Sequence, residues 1–220
     1  VAIGEEITFD ILLTLPEGTT PADTVVDDLP VGLEAVSGTP EVITSAAASG
    51  GVLTADFNGT IGTQNINVVP GGGGSVTFDF TNIVLVGDND AANNTFLMRF
   101  RARVTNITAN IAGTTISNEA TNQVGAGAPT TSNAVTVTVV EPEITFGKTI
   151  VSLPTPLDAG GVVHYQITYA NGTGANVSSA MDVNITDALA AELLLPSTGV
   201  PDLVITATAG VGAITNNSTT

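Results

Sequence analysis

The 220-residue chain has no cysteine and no tryptophan, and aromatic residues of all kinds make up only 4% of it. Without cysteine it can form no disulfide, so any covalent cross-link must use other chemistry. With so few aromatics, a core must be built chiefly from Val, Ile, Leu and Ala. Hydrophobic residues nevertheless reach 43%, which is enough for a packed core and argues against a disordered chain.

Basic residues are also scarce, with 4 Lys and Arg against 21 acidic residues and a formal net charge of −17. This charge argues against nucleic acid and anionic membrane surfaces as partners, since both attract basic proteins. No apolar run reaches the roughly 18 residues of a membrane span, and no signal peptide is visible. Both ends of the sequence look incomplete, so we expect a window from a longer mature chain.

Short segments of period-two alternation, separated by turn residues, predict an all-β fold. A short helical turn is expected only at 189–195. The clearest predicted strands are 7–13, 76–80, 96–104, 134–140, 144–150 and 162–169.

An internal repeat divides the chain. Residues 4–11 parallel residues 160–167, and the segments around Asp27 and Asp187 also match, 160 residues apart. A repeat of this length predicts two related domains in tandem.

The junction between the two domains contains Pro142, which stiffens the link and favours an extended arrangement. We expect one domain at 1–140 and the start of a second at 141–220. In this register the first domain lacks the counterpart of strand 144–150, and the second lacks its later strands.

Lys148 is the only lysine, since the other three basic residues are arginines. Side chains alternate along a strand, so Ile144, Phe146, Lys148 and Ile150 share one face. We therefore expect Lys148 to point into an apolar core. A buried amine is costly unless it has a carboxylate partner or has been consumed in a covalent bond.

Six motifs in order resemble the conserved Ig-like repeat of long bacterial and archaeal surface proteins, a relative of the isopeptide-forming domains of pilins and fimbrial adhesins. The resemblance implies tandem antiparallel Ig-like β-sandwiches of Greek-key type at the cell surface. Domain one departs from it by an insert within 37–74, and Ala190 replaces the usual proline in domain two. The motifs are Lys148-Thr149, 159–171, 183–189, the Asp-x-Leu-Pro-x-Gly-Leu turn at 27–33, Asn-x-Ala at 118–120, and 132–139.

In those relatives a lysine of the first strand attacks an asparagine amide and releases ammonia, while a buried acid transfers protons. The resemblance then implies that Lys148 is the nucleophile and Asp187 the acid of domain two. Asp27 is the acid of domain one, and Asn118 or, alternatively, Asn133 is its amide. Neither domain holds a complete set, and an ion pair between Lys148 and Asp187 without a covalent bond is the competing interpretation.

Arg99, Arg101 and Arg103 alternate with apolar residues and form a row on the solvent face of one strand. They are candidates for binding an acidic glycan or a neighbouring subunit. The competing interpretation is local neutralisation by cross-strand carboxylates.

Asp88 and Asp90 lie in an oxygen-rich loop, which makes calcium a candidate ligand, although such residues are also ordinary turn formers. Glycosylation is a further hypothesis in a surface protein. Eight Asn-x-Ser/Thr triplets begin at Asn58, Asn93, Asn106, Asn171, Asn176, Asn184, Asn216 and Asn217.

These features predict a structural repeat of an extracellular stalk, fibre or adhesin, without catalytic turnover. Its expected partners are neighbouring repeats or identical subunits, one of which could donate the missing strand by β-strand addition. The alternative is an extracellular module that binds carbohydrate or another ligand, which would need exposed aromatic side chains.

Overall fold

A computed structural model describes residues 1–194 of the chain. The chain divides into two compact units. Among the described residues, unit 1 comprises Val1–Glu143 together with Gly172–Ser179, and unit 2 comprises Ile144–Asn171 and 180–194.

Unit 1 is built of fourteen strands and a single 3-10 turn at Ala91–Asn93. The strands are β1 (Glu6–Thr14), β2 (Gly18–Thr20), β3 (Asp23–Asp28), β4 (Leu33–Ala35), β5 (Glu41–Ile43), β6 (Gly59–Ile61), β7 (Gln64–Val69), β8 (Ser75–Phe80), β9 (Ile83–Leu85), β10 (Thr95–Val104), β11 (Thr115–Asn118), β12 (Ala120–Val124), β13 (Thr130–Thr131) and β14 (Val135–Thr138).

The strands of unit 1 pair antiparallel in four sheets. One runs β1-β10-β4, with β5 also on β10, and a second runs β13-β12-β3-β8-β7. A third runs β2-β9-β6, and β11 pairs with β14. The predicted all-β, antiparallel fold is confirmed.

The core of unit 1 lies between the first two sheets. Phe80 of β8 meets Phe96 of β10 edge to face, and Phe9 of β1 stacks on Phe100 of the same sheet. The two sheets pack together because the alternation of β10 turns every second side chain, all of them apolar, toward the interior. That buried row is Phe96, Met98, Phe100, Ala102 and Val104.

Unit 2 contains an antiparallel hairpin of β15 (Ile144–Ser152) and β16 (His164–Asn171). The helical turn predicted at 189–195 is a hydrogen-bonded turn from the Ala190 carbonyl to the Leu193 amide within the described residues, and Leu195 lies outside them. Among residues 1–194, no helix has the length and apolar character that a membrane crossing requires.

Candidate functional site

The first candidate site is a buried aspartate–asparagine pair in unit 1. Alternation along β3 turns the Asp27 side chain inward. Asn118 is the last residue of β11 and is also buried. The Asn118 Nδ2 group donates a hydrogen bond of 2.9 Å to Asp27 Oδ2. Only 2% of Asp27 and 4% of Asn118 is exposed. Two of the residues predicted from the sequence are therefore in direct contact.

Burial governs the protonation of this pair. Desolvation raises the pKa of Asp27 to about 6, the hydrogen bond from Asn118 opposes that shift, and the nearby Asp28 charge adds to it. Oδ1 of Asp27 and Oδ1 of Asn118 have no hydrogen-bond partner among the described residues. Two orphaned polar atoms in one buried site are unusual in a well-satisfied core and point to a site with a further partner.

A pocket of about 150 Å³ opens beside the pair. Its lining includes three carboxylate residues, Asp10, Asp27 and Glu119, and no lysine or arginine. Asn133 lies at its exposed rim, whereas Asn118 lies at its buried end. Of the two amides predicted, the structure places Asn118 against the acid.

The second candidate site is the lysine of unit 2. Lys148 Nζ lies 2.7 Å from Asp187 Oδ1 and 4.4 Å from the centre of the Tyr165 ring. The two predicted residues are brought together. However, the side chains of Lys148 and Asp187 are 35% and 31% exposed.

The prediction that Lys148 points into a packed core was wrong for the described residues. Ile144, Phe146 and Ile150, which share its face, are each about half exposed. The alternation of β15 identified the shared face correctly. Burial requires a second sheet against that face, and the two-stranded hairpin does not itself supply one.

A second buried acid–amide pair was missed by the sequence analysis. Asp23 is fully buried, its Oδ1 accepts a hydrogen bond of 2.5 Å from Asn122 Nδ2, and its Oδ2 has no partner among the described residues. Desolvation raises the pKa of Asp23. The signal was present, because Asp23 is in phase with Val25 and Asp27 along β3.

The arginine row on β10 is bound by carboxylates of β1. Arg99 donates to both oxygens of Asp10, at 2.7 and 2.8 Å, and Arg101 and Arg103 both pair with Glu6, at 2.5 and 2.9 Å. This follows from the register, which places Asp10 opposite Arg99 and Glu6 opposite Arg103. A role in binding a glycan or a subunit stays a prediction.

The loop with Asp88 and Asp90 uses its carboxylates as internal acceptors. Asp88 Oδ2 accepts from the side-chain amides of Asn58 and Asn93, and its Oδ1 accepts from the Asp90 amide. These bonds lower the pKa of Asp88. Asp90 caps the 3-10 turn by accepting from the Ala92 amide. Among residues 1–194, no cluster of three or more metal-ligating side chains occurs.

Two of the eight Asn-x-Ser/Thr triplets begin at Asn58 and Asn93. These are the asparagines whose side-chain amides donate hydrogen bonds to Asp88. The triplets at Asn216 and Asn217 lie outside the described residues.

No family model and no curated protein matches the chain, but solved structures do. The chain resembles BcpA, the major pilin subunit of Bacillus cereus, with a TM-score of 0.43 and 19% identity over 66% of this chain and 38% of that chain. It resembles ACE19, the collagen-binding subdomain of the Enterococcus faecalis surface protein ACE, with a TM-score of 0.35 and 15% identity over 61% and 86%.

A third similar structure is the Actinomyces fimbrial adhesin FimA, with a TM-score of 0.35 and 20% identity over 68% of this chain and 53% of that chain. The chain thus spans 38% of the length of BcpA and about half that of FimA. These three structures are a pilin subunit, a collagen-binding subdomain of a surface protein and a fimbrial adhesin.

Proposed function

We propose that the chain is a structural repeat of an extracellular stalk, fibre or adhesin, and that its β-sandwich is locked by an amide bond between a lysine and Asn118. The observation that carries the proposal is the buried Asp27–Asn118 pair beside an acidic pocket. A buried, raised-pKa acid in contact with a carboxamide has no evident role in packing alone, because an apolar pair would fill the same space at lower cost.

The chemistry needs only these groups and an amine. A neutral lysine amine attacks the Asn118 side-chain carbon, the new carbon–nitrogen bond forms, and the amide nitrogen leaves as ammonia. Because burial raises its pKa to about 6, Asp27 keeps a protonated fraction of about one-tenth near pH 7, and in that form it can donate its proton to the carboxamide and then take one from the attacking amine. The protein then gains a cross-link that needs no cysteine. The bond forms once, so no turnover is implied.

The two units hold complementary parts of this chemistry. Unit 1 holds the acid and the amide, Asp27 and Asn118. Unit 2 holds the amine and an acid, Lys148 and Asp187. Each unit therefore carries part of the residue set that the proposed reaction needs.

The test is the intact mass of the protein isolated from the cell surface. Each amide bond lowers the mass by one ammonia, about 17 Da. We expect this deficit, and a cross-linked peptide containing Asn118, in the wild-type protein. Asn118→Ala should remove both, while Asn133→Ala serves as the matched control and should retain them. A full-mass protein with an unmodified Asn118 peptide would contradict the amide bond.

The alternative of a carbohydrate-binding module finds little support in unit 1. Recognition of sugars by stacking needs exposed aromatic rings, and six of the seven phenylalanines are in the core. The buried ones are Phe9, Phe57, Phe78, Phe80, Phe96 and Phe100.

A further inference from the structure

A short segment of the second sequence repeat belongs structurally to unit 1. By the repeat in the sequence, residues from 160 onward lie in the second repeat, yet Gly172–Ser179 groups with Val1–Glu143. This segment, called the clasp below, directly follows β16. It contains two glycines, two serines, a threonine and an asparagine, which is the composition of a flexible loop. Such a segment is ordered only where other residues tie it down.

Backbone hydrogen bonds tie the clasp to unit 1. The Glu141 amide donates to the Asn176 carbonyl at 3.2 Å, and the Ser178 amide donates to the Glu141 carbonyl at 3.0 Å. These bonds belong to a parallel bridge between Glu141 and Val177. At the start of the clasp, the Gly172 amide donates to the Glu143 carbonyl at 2.8 Å. Both ends of the clasp are therefore held by the segment 141–143.

The side chain of Glu141 binds a different part of unit 1. Its Oε2 accepts a hydrogen bond of 2.8 Å from the Ala112 amide, which lies in the loop 105–114 between β10 and β11. The next amide of this loop, that of Gly113, donates to the Val139 carbonyl at 2.9 Å. Glu141 thus binds the loop with its carboxylate and the clasp with its backbone.

A residue that binds two segments in this way links their stabilities. A hydrogen bond from a backbone amide to a carboxylate is charge-assisted and therefore strong. When the Glu141 carboxylate is bound to Ala112, the residue has already lost conformational freedom, so the clasp binds to its backbone at a lower entropic cost. The effect is reciprocal, because a bound clasp restricts Glu141 and favours its bond to the loop.

We propose that Glu141 couples the order of the clasp to the order of the loop 105–114, so that unit 1 is the docking surface for a segment of the second repeat. The inference goes beyond the proposed function, since it needs no lysine and no amide bond. In a protein of tandem repeats, a contact of this kind supplies nearest-neighbour coupling, because one repeat stabilises a segment that its successor contributes.

Amide hydrogen exchange of the full chain, read by mass spectrometry of its peptides, tests the coupling from the side of the clasp. Ser178→Pro removes the amide that donates to the Glu141 carbonyl. We expect exchange to become faster in the clasp and also, by at least about fivefold, in the loop peptide that contains Ala112. Ser178→Ala is the matched control, because it removes the hydroxyl group and keeps the amide. It should leave the loop at its wild-type rate.

The reverse experiment starts from the side of the loop. Glu141→Ala removes the acceptor of the Ala112 amide but keeps the backbone groups that bind the clasp. We expect the clasp to exchange faster and to be cut faster by a protease of broad specificity. Glu141→Gln keeps a side-chain oxygen that can accept the same hydrogen bond, so it should restore most of the protection of the clasp.

The proposal is overturned if exchange rises, in both Ser178→Pro and Glu141→Ala, only in the segment that loses its own hydrogen bond. Equal loss of protection in Glu141→Ala and Glu141→Gln would also overturn it. Strand β10 is the internal reference and should keep its protection throughout, and a general loss there would contradict a local coupling. The ammonia deficit that tests the amide bond is measured separately, and its absence would leave the coupling intact.

Discussion

Units 1 and 2 contain the same strand in two surroundings. Phe9 and Ile11 of β1 correspond to Tyr165 and Ile167 of β16. Phe9 is buried and stacks on Phe100 at 5.4 Å, whereas Tyr165 is 38% exposed. The alternation of a strand thus fixes which side chains share a face, but an opposing sheet decides whether that face is buried.

The two aspartates of the repeat differ in the same way. Asp27 is buried against an amide, and Asp187 is partly exposed against an amine. One position in the repeat therefore gives an acid whose pKa is raised by burial and an acid that lies in an ion pair with a lysine. The burial and the partner of each aspartate, rather than the residue type, therefore decide its chemical role.

The largest expected difference between the units is in core packing. Phe100→Ala in unit 1 should lower the free energy of unfolding by about 3–5 kcal/mol, because it leaves a cavity among fully buried side chains. Phe146→Ala in unit 2, where the ring is 58% exposed, should change it by less than about 1 kcal/mol. Denaturant unfolding of both variants measures the two changes in the free energy of unfolding. Similar losses in both variants would contradict the expected difference in packing between the units.

The next largest effect is the pH dependence caused by Asp27. Its folded pKa of about 6, against 3.8 for an ordinary aspartate, means that the folded state keeps a proton that the unfolded chain releases. Stability should fall as pH rises from about 4 to 6, by about 3 kcal/mol in total. Asp27→Asn should remove this part of the dependence.

The measurement is the difference in unfolding free energy between wild type and Asp27→Asn across that pH range. A difference for Asp27→Asn that stays constant with pH would show that burial does not hold the proton.

A smaller effect is expected at the arginine row of unit 1. The two-point contact between Arg99 and Asp10 should couple by about 1 kcal/mol in a double-mutant cycle with Arg99→Ala and Asp10→Ala. Both side chains are partly exposed, so added salt should weaken the coupling. A coupling near zero at low salt would indicate that Arg99 is available for another ligand.

The smallest effect is expected for the ion pair of unit 2. Lys148 and Asp187 are each about one-third exposed, so their coupling should be about 0.5 kcal/mol or less. A double-mutant cycle with Lys148→Met and Asp187→Asn measures it. A coupling several times larger would mean that the pair is desolvated. The surroundings of Asp187 would then be closer to those of the buried Asp27 than the exposed fraction of its side chain indicates.

The sequence predicted much of the fold because strand signals are local. Alternation placed β1, β10 and β15 to within about two residues, and the same alternation put Arg99, Arg101 and Arg103 on the solvent face. It could not choose between Asn118 and Asn133, since both are in phase with apolar neighbours. That choice depends on which strand faces Asp27, which is a long-range contact.

The residues of the chain by themselves determined an acidic, cysteine-free, antiparallel β protein with one lysine and a repeated strand motif. Tertiary structure decided that Asp27 is buried beside Asn118, that Asp23 pairs with Asn122, and that Lys148 lies about one-third exposed beside Asp187. The physical reason is that alternation is a property of one strand, whereas burial and protonation depend on partners distant in the chain.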